Sequence, residues 1–404
     1  MRKTYIGFAR ASELILENVH TLGPERRCLT DCLDAIAAED IHASVDAPSA
    51  STSLKDGYAV RSADIARASS GNPIKLSLNG VSAAGALEQT VAQPYSAVRI
   101  LTGGRIPLNA DAVVAEEFTR LVTDGVIVDK ITEAGRNILT RGADVSAGEK
   151  IVEAGERLTP GRLGLLTAAG KSHVQVYRKP RITIIATGDE ILLPGSPLKA
   201  GQLYASNIVT LEAWCRRFHC ETVLTIVPDQ RDAIIAVLRE AVATRDAVLT
   251  SGGAWSGERD LVRQALEGLG WQKVFHRVRL GPGKATGMGL VDRCPVFMLP
   301  GGPPSNLIGF LKLALPGILK IGGHPETGLP QREVLVSEAV QGQKDWTQAI
   351  FGRLAIDEDG RCLFQPDRQT SRLKAMGEAD ALLTIPEGVD RIAAGTLVAV
   401  EMLV

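Results

Sequence analysis

Apolar positions in the first 45 residues recur at helical spacing over 11–20 and again over 31–39, and both stretches are expected to be helices. From 46 to 144 the rhythm changes. Short apolar runs such as IKLSLNG, VRILTGG, AVVAEE and GVIVDK are broken by Gly, Asn and Asp, the pattern of a mostly β domain. LTPGRLGLLTAAGKSHVQVY (158–177) then supplies Thr159 as N-cap, Pro160 at the first helical position and Gly170 as the stop, before a short strand. RKPR marks a boundary near 180.

From 181 onward strands and helices alternate. The expected order is strand 181–187, helix 207–219, strand 221–227, helix 230–243, strand 246–250 and helix 259–268. Strand-like KVFHRVRL, GMGLV and PVFMLP follow, and then a helix over 305–319. This alternation predicts βαβ units and a parallel sheet covered on both faces. Beyond 328 the runs REVLVSEA, QAIFGRLAIDEDGRCLF, ADALLTIPEG and GTLVAVEML read as short strands of a small separate β domain, with a hairpin turn at 358–360.

Composition narrows the possibilities. A chain of 404 residues predicts two to four domains, at about 100–200 residues each. Forty-five basic residues balance 46 acidic ones, a net charge of −1, so no global field recruits nucleic acid or an acidic membrane. Any anion must be held by a local site. No apolar stretch approaches the roughly 20 residues of a membrane span, and the N-terminus lacks the apolar middle of a signal peptide. The expectation is a soluble, cytoplasmic protein. The six cysteines form no C-x-x-C pair; Cys28 and Cys32 stand four apart, as helical core thiols would. WCRRFHC (214–220) admits two readings, a zinc site through Cys215, His219 and Cys220 or a buried helix end, and the lack of a second ligand pair favours the latter.

Candidate chemistry gathers at the strand exits, where an open α/β sheet binds its ligands. IIAT is followed by Gly188, Asp189 and Glu190; TIVP by Asp229; AVLTS by Gly252 and Gly253; FMLP by Gly301 and Gly302. Glycines and acids are common at any strand-to-helix turn, but four such exits together point further. Glycine admits phosphate oxygens to backbone N–H groups, and carboxylates would repel a bare phosphate unless a hard cation sits between. The combination predicts a phosphate ligand with Mg²⁺. The loop DAVLTSGGAWSGERDLV (246–262) lacks the Lys-Ser/Thr of a nucleotide P-loop. HRVRLGPGKATG brings Arg277, Arg279 and Lys284 around a Gly-Pro-Gly turn; an oxyanion site and strand-edge solvation both fit the arginines, and Lys284 is the stronger candidate. Asp56 in LKDGYAV and Asp144 in TRGADVSAG are, taken singly, ordinary turn residues.

An ordered series of motifs carries a resemblance. DGYAV (56–60), RILTGGRIPLNADAVVAEE (99–117), GRNILTRGADVSAGE (135–149), LTPGRLGLLTAAG, ATGDEILLPGSPLKAGQLYASN (186–207), TSGG, LPGGPPS and ADALLTIPEG span nearly the whole chain. In that order they resemble the molybdopterin molybdenumtransferases, the MoeA and gephyrin E-domain family. The resemblance implies a multidomain α/β plus β chain: a discontinuous dimerisation domain over 1–45 and 145–180, an inserted β domain over 46–144, a MogA-like α/β domain with a central parallel sheet over 181–327, and a C-terminal β barrel over 328–404.

It also implies an activity, the insertion of molybdate into adenylylated molybdopterin with release of AMP, assisted by Mg²⁺ or a similar divalent ion. The family's important residues fall on Asp56, Thr102, Asp144, Glu190, Asp229 and Asp260. Glu190 and Asp229 would orient the ion, and Asp260 would face the pterin or ribose. Thr187, Gly188, Ser251, Gly252, Gly253, Lys284, Gly301, Gly302 and Ser371 would contact the pterin or its phosphates. Asp56, Thr102 and Asp144 would reach the partner subunit's cleft, making the site of a homodimer a shared one. The resemblance also implies other molybdenum cofactor proteins as partners.

Several positions depart from the family pattern. AWSG places Trp255 where Val-Ser-Val-Gly is usual, GPGKA has Gly281 in place of a lysine, LPGGPPS has Gly302 in place of Asn, and YASN has Ala205 in place of Asp. Gln369, Thr370, Ser371 and Arg372 stand for Gln-Gly-Ser-Gly. A lost lysine removes a charge-assisted hydrogen bond of about 1.5–3 kcal/mol; Arg277, Arg279, Arg368 and Arg372 are candidates to replace it. Trp255 would stack on the ligand, plug the pocket or pack on the next helix. The altered loops also fit an alternative, a non-catalytic paralogue that binds or delivers the pterin or molybdenum cofactor.

Overall fold

Strand Arg181–Thr187 (β1) is buried at every position from Ile182 onward, and a strand so enclosed belongs in the middle of a sheet. In the computed structural model it lies between Glu221–Val227 (β2) and Ala247–Ser251 (β3), parallel to both. The full order is β2-β1-β3-β6-β5-β4, with β4 Gln272–His276, β5 Gly287–Val291 and β6 Cys294–Leu299. Four strands form the expected parallel core. The edge is paired antiparallel, β5 to β6 and β4 to β5, because β6 returns beside β5 through a tight turn at Asp292 and Arg293 that leaves no room for a crossover helix.

Residues 5–86, 88–252, 260–367 and 372–404 are described, and they fall into two compact units, 26–176 and the segments 1–25 with 177–404. In the second of these, each sheet face has its own core. Ile182, Ile184 and Ala186 pack with Ile208, Leu211 and Cys215 of helix Ser206–Arg217 and with the helix starting at Pro303. Ile185, Val248 and Met298 pack on the other face with Ile234 and Leu238 of helix Arg231–Thr244 and with Val262 and Leu266 of helix Leu261–Gly268. Each fully buried Ile, Leu, Val or Met side chain among them contributes about 2 kcal/mol. The helix over Phe8–Asn18 adds Ala11 and Ile15 to the first core.

The long final helix of this domain runs from Pro303 to Ile321 and includes a π turn at Phe310–Ala314. Pro316 explains the widening, since it offers no N–H to the carbonyl one turn earlier. At the opposite end of the sheet from the exits, Asp246 accepts two hydrogen bonds of 2.8 Å from the Arg178 guanidinium and one of 2.8 Å from the Arg181 N–H.

Five strands, 331–336, 347–356, 362–366, 381–385 and 397–402, close into a barrel because 347–356 pairs with both 362–366 and 381–385. The hairpin turn expected at 358–360 is present, with Gly360 at φ +78°.

In the other unit, a six-stranded sheet is ordered 112–115, 57–60, 96–100, 74–82, 125–128, 119–122. A separate core joins Leu29, Cys32 and Ile41 to Val152, Leu158, Leu166 and Val174. Here the helix expected over 31–39 is absent. Only a 3₁₀ turn, Leu29–Asp31, forms, and Ile36 and Ala37 make β-bridges to Arg157 and Val176, so long-range pairing overrides the apolar spacing. Cys28 accordingly ends a strand and only Cys32 is buried. WCRRFHC is a buried helix end: Cys215 and Cys220 are both enclosed, and burial pushes the Cys220 thiol up to about 12. Among the described residues no helix is long and apolar enough to cross a membrane.

Candidate functional site

A cavity of about 680 Å³ opens at the carboxyl ends of β1, β3 and β6. Its floor is built where those strands stop. Gly252 takes φ +95°, and a Cβ there would stand 2.9 Å from the Thr187 carbonyl oxygen; Gly301 follows β6 on the same floor, where an added Cβ would stand 3.8 Å from the Gly252 Cα. Gly188, at φ +146°, would bring a Cβ to 2.6 Å from Glu190 Oε2, so only glycine lets that carboxylate fold back over the strand end.

Two hydroxyls face this floor. Thr187 is 6 % exposed and its Oγ1 has no hydrogen-bond partner among the described residues. Ser251 is 4 % exposed, and its Oγ accepts from the side-chain amides of Asn207 and Asn306, each at 3.0 Å. The walls are apolar: Ile191, Leu198, Leu203 and Leu373 line the opening, the last brought in by the barrel segment. Ala205, in the position where the resemblance expects an acid, also lines the cavity and gives its helix no side-chain cap. Hydroxyl donors below and apolar side chains above suit a flat ring that carries an anionic group.

Beside this floor lie the acids of the strand exits. Asp229 and Asp189 meet through the Asp229 N–H, which donates to Asp189 Oδ1 at 3.1 Å. Partial desolvation and the negative charges of Asp189 and Glu190 raise the Asp229 carboxyl above its ordinary value. Glu190 lines the cavity and Asp229 does not. Among the described residues no three His, Cys, Asp or Glu side chains form a set able to hold a metal by themselves.

Asp260 has a structural task. It is 1 % exposed and caps helix Leu261–Gly268 by accepting the Arg263 N–H at 3.0 Å, while Oδ2 makes no hydrogen bond and lies 3.7 Å from the Arg263 Nε. Burial pushes its carboxyl up to about 6. Lys284 is exposed on the Gly-Pro-Gly turn and does not line the cavity. Arg279 is no free oxyanion ligand: its guanidinium is paired with Glu387 at 2.7 Å. Gly302 lines the cavity; Gly253, Trp255, Arg368 and Ser371 lie outside the described residues.

In the unit formed by 26–176, Asp56 Oδ1 accepts from the Thr102 N–H at 2.6 Å and from its hydroxyl at 2.8 Å, which holds the carboxyl below its ordinary value. These two residues, with Lys55, Glu116 and Glu117, line a second cavity of about 550 Å³. Asp144 is exposed elsewhere in that unit, and its N–H donates to the Ala47 carbonyl.

Sequence reasoning missed Asn207 and Asn306. For Asn306 the available signal was an amide in the first turn of a largely apolar helix, PPSNLIGFLKLALPGIL, where a buried polar group needs a purpose.

Comparison with known proteins gives this site its context. Residues 183–320, which carry the sheet and the cavity, match the family model described as a probable molybdopterin binding domain. Residues 6–170 match the MoeA N-terminal region (domain I and II) and 334–403 the MoeA C-terminal region (domain IV). A molybdopterin molybdenumtransferase of Haemophilus influenzae is 32 % identical over 92 % of this chain and 92 % of its own. Molybdopterin molybdenumtransferase 2 of Mycobacterium tuberculosis (strain CDC 1551 / Oshkosh) is 30 % identical over 95 % of this chain and 96 % of its own. The crystal structure of a molybdopterin biosynthesis MoeA protein from Pyrococcus horikosii superposes with a TM-score of 0.84, at 30 % identity, covering 99 % of both chains. Fold and site thus define a multidomain protein built around a molybdopterin-binding type of α/β domain. The chain belongs to the molybdopterin molybdenumtransferase family, transferases of molybdenum cofactor biosynthesis.

Proposed function

We propose that this chain inserts molybdate into adenylylated molybdopterin and releases AMP. The observation that carries the reading is the cavity floor: Ser251 and Thr187 offer hydroxyl protons beside Gly252 and Gly301, at the strand ends where an α/β sheet binds phosphate, under apolar walls wide enough for a planar ring. The hydroxyls and backbone would orient the phosphoryl end, and Leu198, Leu203 and Leu373 would exclude water from the ring.

The donor set also fits a divalent ion of the Mg²⁺ kind. Such an ion is held by one or two carboxylates together with substrate phosphates, which the pair Glu190 and Asp229 resembles more than a closed protein cage. When bound it would neutralise charge on the diphosphate. Asp260, buried beneath its helix with Oδ2 3.7 Å from Arg263 Nε, would act by holding the first turn of helix Leu261–Gly268 in place.

Incubation of the protein with adenylylated molybdopterin, molybdate and Mg²⁺ is expected to release AMP. No release above that of a Glu190→Ala variant would reject the reading. The altered loops around Trp255 and Gly281 keep the second reading open, a non-catalytic pterin carrier; tight pterin binding without AMP release would favour it. We further propose that the functional form is a homodimer whose site joins Asp56, Thr102 and Asp144 of one subunit to the sheet-domain cleft of the other.

A further inference from the structure

The Ser251 hydroxyl is surrounded in a way its packing does not require. Its Oγ accepts from Asn207 Nδ2 and from Asn306 Nδ2, both at 3.0 Å. Each amide spends its other proton on a loop carbonyl: Asn207 on Gly301 at 2.7 Å, Asn306 on Pro300 at 2.8 Å. Those carbonyls fix the amide orientations, because a flipped amide would set oxygen against oxygen. A hydroxyl has two acceptor directions and one proton. Both acceptor directions are filled.

We propose that Asn306 and Asn207 are positioning residues that make Ser251 an obligate donor, its proton committed to the cavity, so that this point of the site selects acceptor-only groups such as phosphoryl oxygens over ligand N–H groups. The inference rests on the reading of the cavity as a phosphate-holding floor. Asn306 is 1 % exposed, between Pro304 and Leu307 in an apolar helix, a place where an amide is costly unless all its hydrogen bonds are made. The same two amides tie the Pro300–Gly301 turn to the end of β3, so the glycine floor and the serine donor are set by one network. A hydroxyl free to rotate would answer a ligand donor as readily as an acceptor; this one does not.

Calorimetric titration of the full chain with AMP, and with adenosine as the probe lacking phosphate, tests the proposal. Ser251→Ala is expected to weaken AMP binding about tenfold or more, the worth of one hydrogen bond to a charged acceptor, and to leave adenosine unaffected. Asn306→Ala and Asn207→Ala should each weaken AMP severalfold with adenosine unchanged. Asn306→Asp, whose carboxylate would take the serine proton, should match Ser251→Ala. In the Ser251→Ala background, Asn306→Ala should cost nothing more.

If the native chain fails to bind AMP, or Ser251→Ala binds it equally well, the cavity reading falls and this inference with it. If Ser251→Ala weakens AMP but both asparagine variants do not, or the double variant is additive, or adenosine falls in parallel, the positioning role is overturned and the cavity reading survives. Should Asn306→Ala fail to fold, Asn207→Ala, on the less buried first turn of its helix, decides the question alone.

Discussion

Thr187 shows how a single residue can be poor for stability and suited to a site. Its hydroxyl is enclosed at the end of β1 with no partner among the described residues, and an unmade buried hydrogen bond costs about 1–3 kcal/mol. Valine has nearly the same shape without the polar atom. Thr187→Val is therefore expected to raise the unfolding free energy by about 1 kcal/mol while weakening AMP binding, measured by denaturant melts and titration on the same preparation. A loss of stability with unchanged binding would mark the hydroxyl as an ordinary core feature. Ser251 differs, because its acceptor side is satisfied and only its proton is spare.

At the scale of elements, Asp260 joins a helix cap to a buried charge. Desolvation pushes its carboxyl up to about 6, so the fold favours the protonated form. The stability attached to that proton is complete below the ordinary carboxylate range and is lost as pH rises through about 6. Asparagine caps a helix as well as aspartate does. Asp260→Asn should therefore exceed the native chain in thermal stability above pH 6, by about 2 kcal/mol near pH 8, and the gap should close near pH 4. A pH-independent difference would show that the carboxyl titrates normally.

The same scale shows what the chain's pattern could and could not convey. Runs of buried residues such as Ile182–Thr187 and the punctuation by Gly188, Gly252 and Gly301 exposed the sheet and its strand exits, because both follow from local sterics. The stretch 31–39 misled, since Ile36 and Ala37 are paired to residues more than a hundred positions away and no local period reports that. The antiparallel edge was missed for a different reason: β5 and β6 join through the short turn at Asp292 and Arg293, and nothing in their apolar runs distinguishes a hairpin from two parallel strands. Asn207 and Asn306 meet at Ser251 only once three distant segments are packed, so their joint role was illegible although each amide stood in plain view.

At the scale of the whole molecule, the three family regions and the closed five-stranded barrel follow the MoeA arrangement from end to end. Asp56 and Thr102 form a hydrogen-bonded pair in one compact unit, while the glycine floor belongs to the other. The proposed shared site of a homodimer makes a sharp forecast. Mixing inactive Asp56→Ala and Glu190→Ala chains should restore about a quarter of native AMP release, because a mixed dimer then holds one intact site. No recovery, with exchange of subunits verified, would assign each site to a single chain.

The central claim concerns one hollow at the ends of three strands, and crystals grown with AMP and Mg²⁺ test it most directly. The account predicts the AMP phosphate within hydrogen-bond reach of Ser251 Oγ and Thr187 Oγ1, over Gly252 and Gly301, with the ring between Leu198, Leu203 and Leu373. A nucleotide seated anywhere else, or a phosphate that leaves both hydroxyls untouched, would contradict it.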